Sequence, residues 1–269
     1  MNANLFFMEI RFNRFSLLLW AVVISFLIAV TMSVFPTFIE NQSKVMGMIS
    51  LVPKSALEFK GISNIADLTS ILGFYAANNI IYMMVLGSIF SIVLSINILL
   101  KEEYNKTAEY LLTKPITRAG IFISKLLAVL LQVLLLNLIT ASIGIISMEI
   151  LQKGDINLRA FFILSTYTLL LNLLFGALGL FISTLVKKPK SITTVGIGLV
   201  LVFYFLFTLS KITESASKIG YASPFKYVRT DISSENYMLD FWRMIYFLGI
   251  SIFLIFLSYR NYRRKDIYT

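Results

Sequence analysis

The sequence predicts an all-α, polytopic membrane protein: six transmembrane helices, an amphipathic helix before the first of them, and one more helix in a cytoplasmic loop. Three observations lead there. Of 269 residues, 58% are hydrophobic and only 14% are charged, where a soluble domain carries roughly 25% charged residues. The apolar residues gather into runs near the length of about 20 residues that crosses a bilayer. Those runs do not alternate as strands do, and a backbone in lipid must satisfy its own hydrogen bonds, which leaves helices.

The elements follow in order along the chain. In residues 1–14, Leu5, Met8, Phe12 and Phe15 recur at spacings of three and four, with Asn2, Glu9, Arg11 and Asn13 elsewhere on the wheel. That pattern fits a helix lying on the inner leaflet, and an unstructured tail leading into a span is the alternative. The run over 15–35 is longer than a secretory h-region and no A-x-A site follows, so it reads as a retained first span. Five further spans are expected over about 74–100, 121–148, 160–186, 192–209 and 242–259. Their centres hold no Asp, Glu or Arg, and Lys125 lies close enough to an end to snorkel toward water. The first outer loop, from Pro36 to Gly73, is long enough for short helices, as is the third, from Ser210 to Phe241. No internal repeat divides the chain, so a single membrane domain is expected over 1–269.

Charge sets the orientation. Arg11 and Arg14, the basic residues between Lys101 and Lys125, Lys187, Lys188 and Lys190, and the cluster from Arg260 to Lys265 fall in short segments on one side. The bias of Lys and Arg toward cytoplasmic loops then places both termini in the cytoplasm. The formal net charge of +10 does not indicate nucleic acid, because no separate basic domain holds it. With no Cys and no His, disulfides, thiolate sites, imidazole bases and His-ligated metals are excluded. No metal, cofactor or catalytic group is expected on this chain.

One polar island interrupts the oil. In "KEEYNKTAEYLLTKPITR", Lys101–Arg118, a helix would align Glu102, Lys106, Glu109 and Thr113 on one face and Tyr104, Ala108, Leu111 and Leu112 on another. Glu102 and Lys106 have the spacing of a favourable i,i+4 pair, acids lead and bases follow as the helix dipole prefers, and Pro115 ends the helix. A helix over about 102–113 with an apolar stripe must lie on something: headgroups, its own bundle, or a second protein. A solvated or membrane-lying connector stays open on pattern alone.

The stretch "EEYNKTAEYLLTKPITRAGIFISKLLA", Glu102–Ala128, resembles the cytoplasmic loop and following span of the ABC-2 class of ABC transporter permeases. The correspondence rests on Glu102, Thr107, Glu109, Leu111, Leu112, Pro115, Arg118 and Lys125; "SPFKY" at Ser223–Tyr227 and the basic terminus agree with it, and the first helix looks like that family's elbow. Lys106 departs from the glycine frequent before the threonine. The resemblance implies a coupling helix that docks in a groove of a cytoplasmic ABC ATPase subunit, with Glu102, Glu103, Lys106 and Glu109 at the rim and Tyr104, Thr107, Leu111, Leu112, Pro115 and Arg118 completing the segment. This sequence has no G-x-x-x-x-G-K-[ST] phosphate loop, so ATP and Mg are expected on a separate partner chain. The family works as a pair of six-span units, which implies a homodimer in a 2:2 complex in the cell membrane. Gly176, Gly179, Gly196 and Gly198 would allow close helix approach in such a dimer or inside one chain.

The expected function is therefore the permease subunit of an exporter of amphipathic or hydrophobic cargo: a peptide, a lantibiotic-like antibiotic or a drug. Gln132, Asn137 and Asn172 are candidate cavity residues, with interhelical hydrogen bonding as the competing role. The absence of an ionisable relay argues against a secondary transporter. A non-transporting scaffold or sensor on the same fold remains open, and a membrane-embedded enzyme is disfavoured for want of paired catalytic groups.

Overall fold

The computed structural model describes residues 2–49, 68–104, 116–151, 156–186, 192–212, 217–229 and 238–264. Every regular element among them is helical. Helix α1, Ala3–Ser33, starts at Asn2, whose side-chain oxygen accepts from the Leu5 amide at 3.1 Å. Short helices α2, Phe35–Glu40, and α3, Gln42–Ile49, follow it, and Pro36 sits in the first turn of α2, where its missing N–H costs nothing. The long helices are α4, Ile71–Tyr104; α5, Arg118–Leu151; α6, Leu158–Leu185; α7, Ile192–Ile212; and α8, Phe241–Arg264. Six of these helices are long and apolar enough to cross a membrane, in the six places the sequence marks out.

The helices outlast the apolar stretches. Helices α4 and α5 have 34 residues each, about 51 Å at 1.5 Å per residue, against a hydrocarbon core of about 30 Å. Their ends therefore project beyond the core and carry the polar chemistry. The same holds for α1. Residues 3–14 do not form a separate elbow: they are the first turns of one unbroken 31-residue rod. No Gly or Pro interrupts that stretch, and its buried side chains Leu5, Glu9 and Leu17 dock it to the bundle from its first turns onward.

Contacts between helix ends give the topology. At one end, Asn2 meets Ser124, Glu9 meets Lys101, Asn97 meets Thr193, Phe122 meets Tyr259, and Thr184 meets Asn261. At the other, Thr31 meets Tyr82, Phe35 meets Phe74, Tyr75 meets Phe161, and the Tyr167 hydroxyl accepts from the Asp240 amide. The six crossing helices thus alternate up and down, and the start of α1 and the end of α8 share one end with the root of the polar loop.

Helix α4 is the centre of the bundle. In its most apolar window 78% of residues are buried, against 17% for α8, so α4 is core and α8 is periphery. The tightest packing joins α4 to α6: a Cβ at Gly179 would stand 2.7 Å from the Ile92 carbonyl oxygen. Gly196 of α7 is similarly close, 2.7 Å from Ile96 Cδ1, while Gly176 has room for ordinary contacts and Gly198 has nothing within 4 Å. Gly179 and Gly196 therefore serve packing within the chain. At the end opposite the loop, Ser223–Tyr227 folds as a 3-10 turn that drives Phe225 into Phe175, Tyr204 and Phe207, and Tyr227 stacks on Tyr246 at 4.0 Å. Phe203, Tyr204 and Phe207 thus belong to the core, and Phe205 is exposed.

A charged knot at the root of the polar loop

The last turns of α4 leave the apolar stretch at Lys101 and run on through Glu102 and Glu103 to Tyr104. Lys125 meets them from α5. Its side chain is fully buried, donates to the Ile98 carbonyl and the Glu102 carboxylate, and lies 3.6 Å from Glu9. Lys101 completes the group, 2.6 Å from the Glu9 carboxylate, with its ammonium over the Phe12 ring. Two acids and two bases from α1, α4 and α5 form a neutral knot. Beside it the Asn2 amide donates to Ser124 Oγ at 2.9 Å, and that hydroxyl is 3.1 Å from the Asn2 carbonyl.

This corrects the expectation that Lys125 snorkels to water. The lysine lies on the face of α5 that also buries Ile121, Phe122, Ala128 and Val129, so its stem points into the bundle and its ammonium must find partners there. Glu9 is corrected likewise: it faces protein, with its side chain fully buried, while Met8, Phe12 and Phe15 of α1 are exposed. Two charges out of water cost several kcal/mol each unless paired and hydrogen-bonded, and breaking such a pair costs about 3–5 kcal/mol. The knot is thus an all-or-none contact: three helices hold register here, or charges are stranded.

The site residues expected from sequence divide in two. Glu102, Glu103 and Tyr104 form the end of α4, and Arg118 opens α5, where Thr117 Oγ1 caps the helix by accepting from the Gly120 amide at 3.1 Å. Glu102 is turned inward to Lys125, its side chain is 12% exposed, and it stands at the root of the loop. Lys106, Thr107, Glu109, Leu111, Leu112 and Pro115 lie outside the described residues. Glu9, Lys101 and the inward role of Lys125 were missed. A lysine at the border of an apolar run, with one acid upstream and one in the preceding loop, is the pattern that could have revealed them.

The candidate cavity residues are all enclosed within the bundle. Asn172 Nδ2 donates to Asn137 Oδ1 at 3.3 Å, and Ser88 donates to Asn172 Oδ1 at 3.2 Å, which ties α4, α5 and α6 together. Gln132 is fully buried, and neither end of its amide has a partner among the described residues; Asn79 of α4 shares that state. A cavity of about 10 Å³ lies beside Tyr75, Asn137, Thr140 and Thr168. It has room for about one water, and of the three candidates Asn137 lines it. Among the described residues no group of three His, Cys, Asp or Glu could hold a metal ion.

The family model for ABC-2 family transporter proteins matches residues 3–267. No curated protein matches the chain.

Proposed function

The chain belongs to the ABC-2 family of transporter proteins, and we propose that it is the permease subunit of an ATP-driven exporter, coupled through the Lys101–Arg118 loop to an ATPase on a separate chain. The observation that carries this reading is the charged knot. A loop that only links two spans can hang from them. Here the segment entering the loop is locked by Glu102 to Lys125 of α5, and through Lys125 and Lys101 to Glu9 of α1. A push on the loop would be delivered to three crossing helices at once.

Coupling of this kind needs an element with two arrangements that both the nucleotide and the cargo can bias. The knot suits that role, because paired buried charges resist intermediate positions. The partner ATPase carries ATP and Mg, and its closure supplies the push. The cargo is amphipathic or hydrophobic, since the described surfaces at membrane depth offer Phe, Leu, Ile and Val with few polar atoms. The cavity beside Asn137 holds about 10 Å³, too little for such a cargo, and a path between two copies, in a homodimer carrying two ATPases, would supply the space.

Coexpression with the candidate ATPase tests the coupling. Charge reversal within the loop, Lys106→Glu with Glu109→Lys, is expected to abolish copurification of the ATPase and cargo transport while the permease still inserts and elutes as wild type. Full transport by that variant would overturn the proposal.

A further inference from the structure

Helix α8 carries one exposed face over its whole length. Trp242, Ile245, Ile252, Phe253 and Phe256 lie on it, spaced by three, four and seven as one side of a helix requires. At Arg260 the same face changes chemistry within one turn. Arg260, Arg263 and Arg264 are exposed, and with Phe256 and Tyr259 they line a groove of about 360 Å³. Among the described residues no carboxylate forms an ion pair with any of the three. The Arg263 guanidinium stands 5.7 Å from the Tyr259 ring centre, against the aromatic wall of the groove.

We propose that this groove binds the headgroup of an anionic phospholipid. The order of chemistry along α8 follows that of a lipid leaflet: aliphatic and aromatic side chains for the acyl chains, then three guanidiniums where the phosphate sits. Guanidinium matches phosphate oxygens as a two-pronged donor. A zwitterionic headgroup brings its own cation to the phosphate, whereas an anionic one leaves a net charge for the arginines to neutralise. A lipid is favoured over a protein partner because the groove continues the exposed apolar face of Phe253 and Phe256, on a helix long and apolar enough to cross a membrane. The end of α8 is also tied to α5, one of the knot's helices, and to α6, since Tyr259 and Tyr262 pack on Phe122 of α5 and Asn261 donates to Thr184 of α6. A lipid held here would therefore steady the loop-bearing end of the bundle.

The test uses the full chain in mild detergent, titrated with phosphatidylglycerol or phosphatidylcholine and read by native mass spectrometry. Wild type is expected to retain one phosphatidylglycerol per chain, at least about tenfold more tightly than phosphatidylcholine. The variant R260Q/R263Q/R264Q is expected to lose that preference, and R11Q/R14Q to keep it. Should the triple Gln variant elute as aggregate, R260K/R263K/R264K replaces it and is expected to bind several-fold more weakly, because the charge remains and the fork is lost. Equal retention of the two lipids by wild type, or undiminished preference in the arginine variants, would overturn the proposal. So would a triple variant that sheds a copurifying ATPase while holding its lipid, for the groove would then belong to a protein partner. The lipid measurement needs no transport, so its failure leaves the permease assignment standing.

Discussion

At the scale of single residues, the buried charges decide most. Replacing Lys125 with Met strands Glu102 and leaves Glu9 to Lys101 alone, and is expected to cost about 3–5 kcal/mol, seen as a lower unfolding midpoint in detergent. Adding Glu102→Gln to that variant should recover part of the loss, because fewer stranded charges remain. A double-mutant cycle with no coupling between the two positions would show that they do not pair. Gly179→Leu is expected to lose at least about 1–3 kcal/mol by overpacking, since the first added carbon already stands 2.7 Å from the Ile92 carbonyl oxygen. Gly198→Ala, with open space around it, should lose far less in the same unfolding assay. The amide contacts predict a modest effect: Asn172→Ala removes bonds to Ser88 and Asn137, each worth about 0.6 kcal/mol in a membrane interior. A loss of cargo selectivity without a loss of stability would instead return Asn172 to the transport path.

At the scale of elements, two rods and the loop between them set how motion passes. Because α1 is unbroken from Ala3 to Ser33, a displacement at Glu9 moves the membrane-crossing part of the same helix. A proline in its middle should therefore separate the two. Arg14→Pro costs about 3 kcal/mol or more of helix and is expected to lower the transport obtained per ATP hydrolysed, measured in proteoliposomes with the partner ATPase. Undiminished transport per ATP in that variant would mean that α1 is a passive anchor. The sequence shows Leu5, Met8, Phe12 and Phe15 as one apolar stripe; what it does not show is that Glu9, on the adjacent face, has a protein partner. Periodicity reports which side chains share a face, and only the docking of α1 on α5 reports what each face meets.

At the scale of the whole molecule, the start of α1 and the end of α8 lie at the side that carries the root of the loop, and the absence of cysteine makes this easy to probe. Single cysteines at Glu109 and Arg264 are expected to react with a membrane-impermeant maleimide only in inside-out vesicles, and one at Gly47 only in intact cells. Labelling of Glu109→Cys from outside would invert the topology and remove the loop from any cytoplasmic ATPase. The proposed homodimer predicts a mass of two chains in a lipid nanodisc, and a one-chain mass with full transport would refute it. The six spans were legible because lipid punishes every unpaired backbone group and so enforces long apolar runs. Asn137 and Asn172 were legible only as candidates, since their contact with each other and with Ser88 requires α4, α5 and α6 side by side.

The sequence by itself determined that this is a six-helix membrane protein, which end of each helix is polar, and which loop stands out, because solvation by lipid acts on each segment separately. Only the tertiary structure decided that Lys125 turns inward, that Glu9 and Glu102 wait for it, and that α1 runs on without an elbow. Those outcomes depend on which charges the packed helices bring within reach of one another, and the energy of a buried pair exists only after both members have left water.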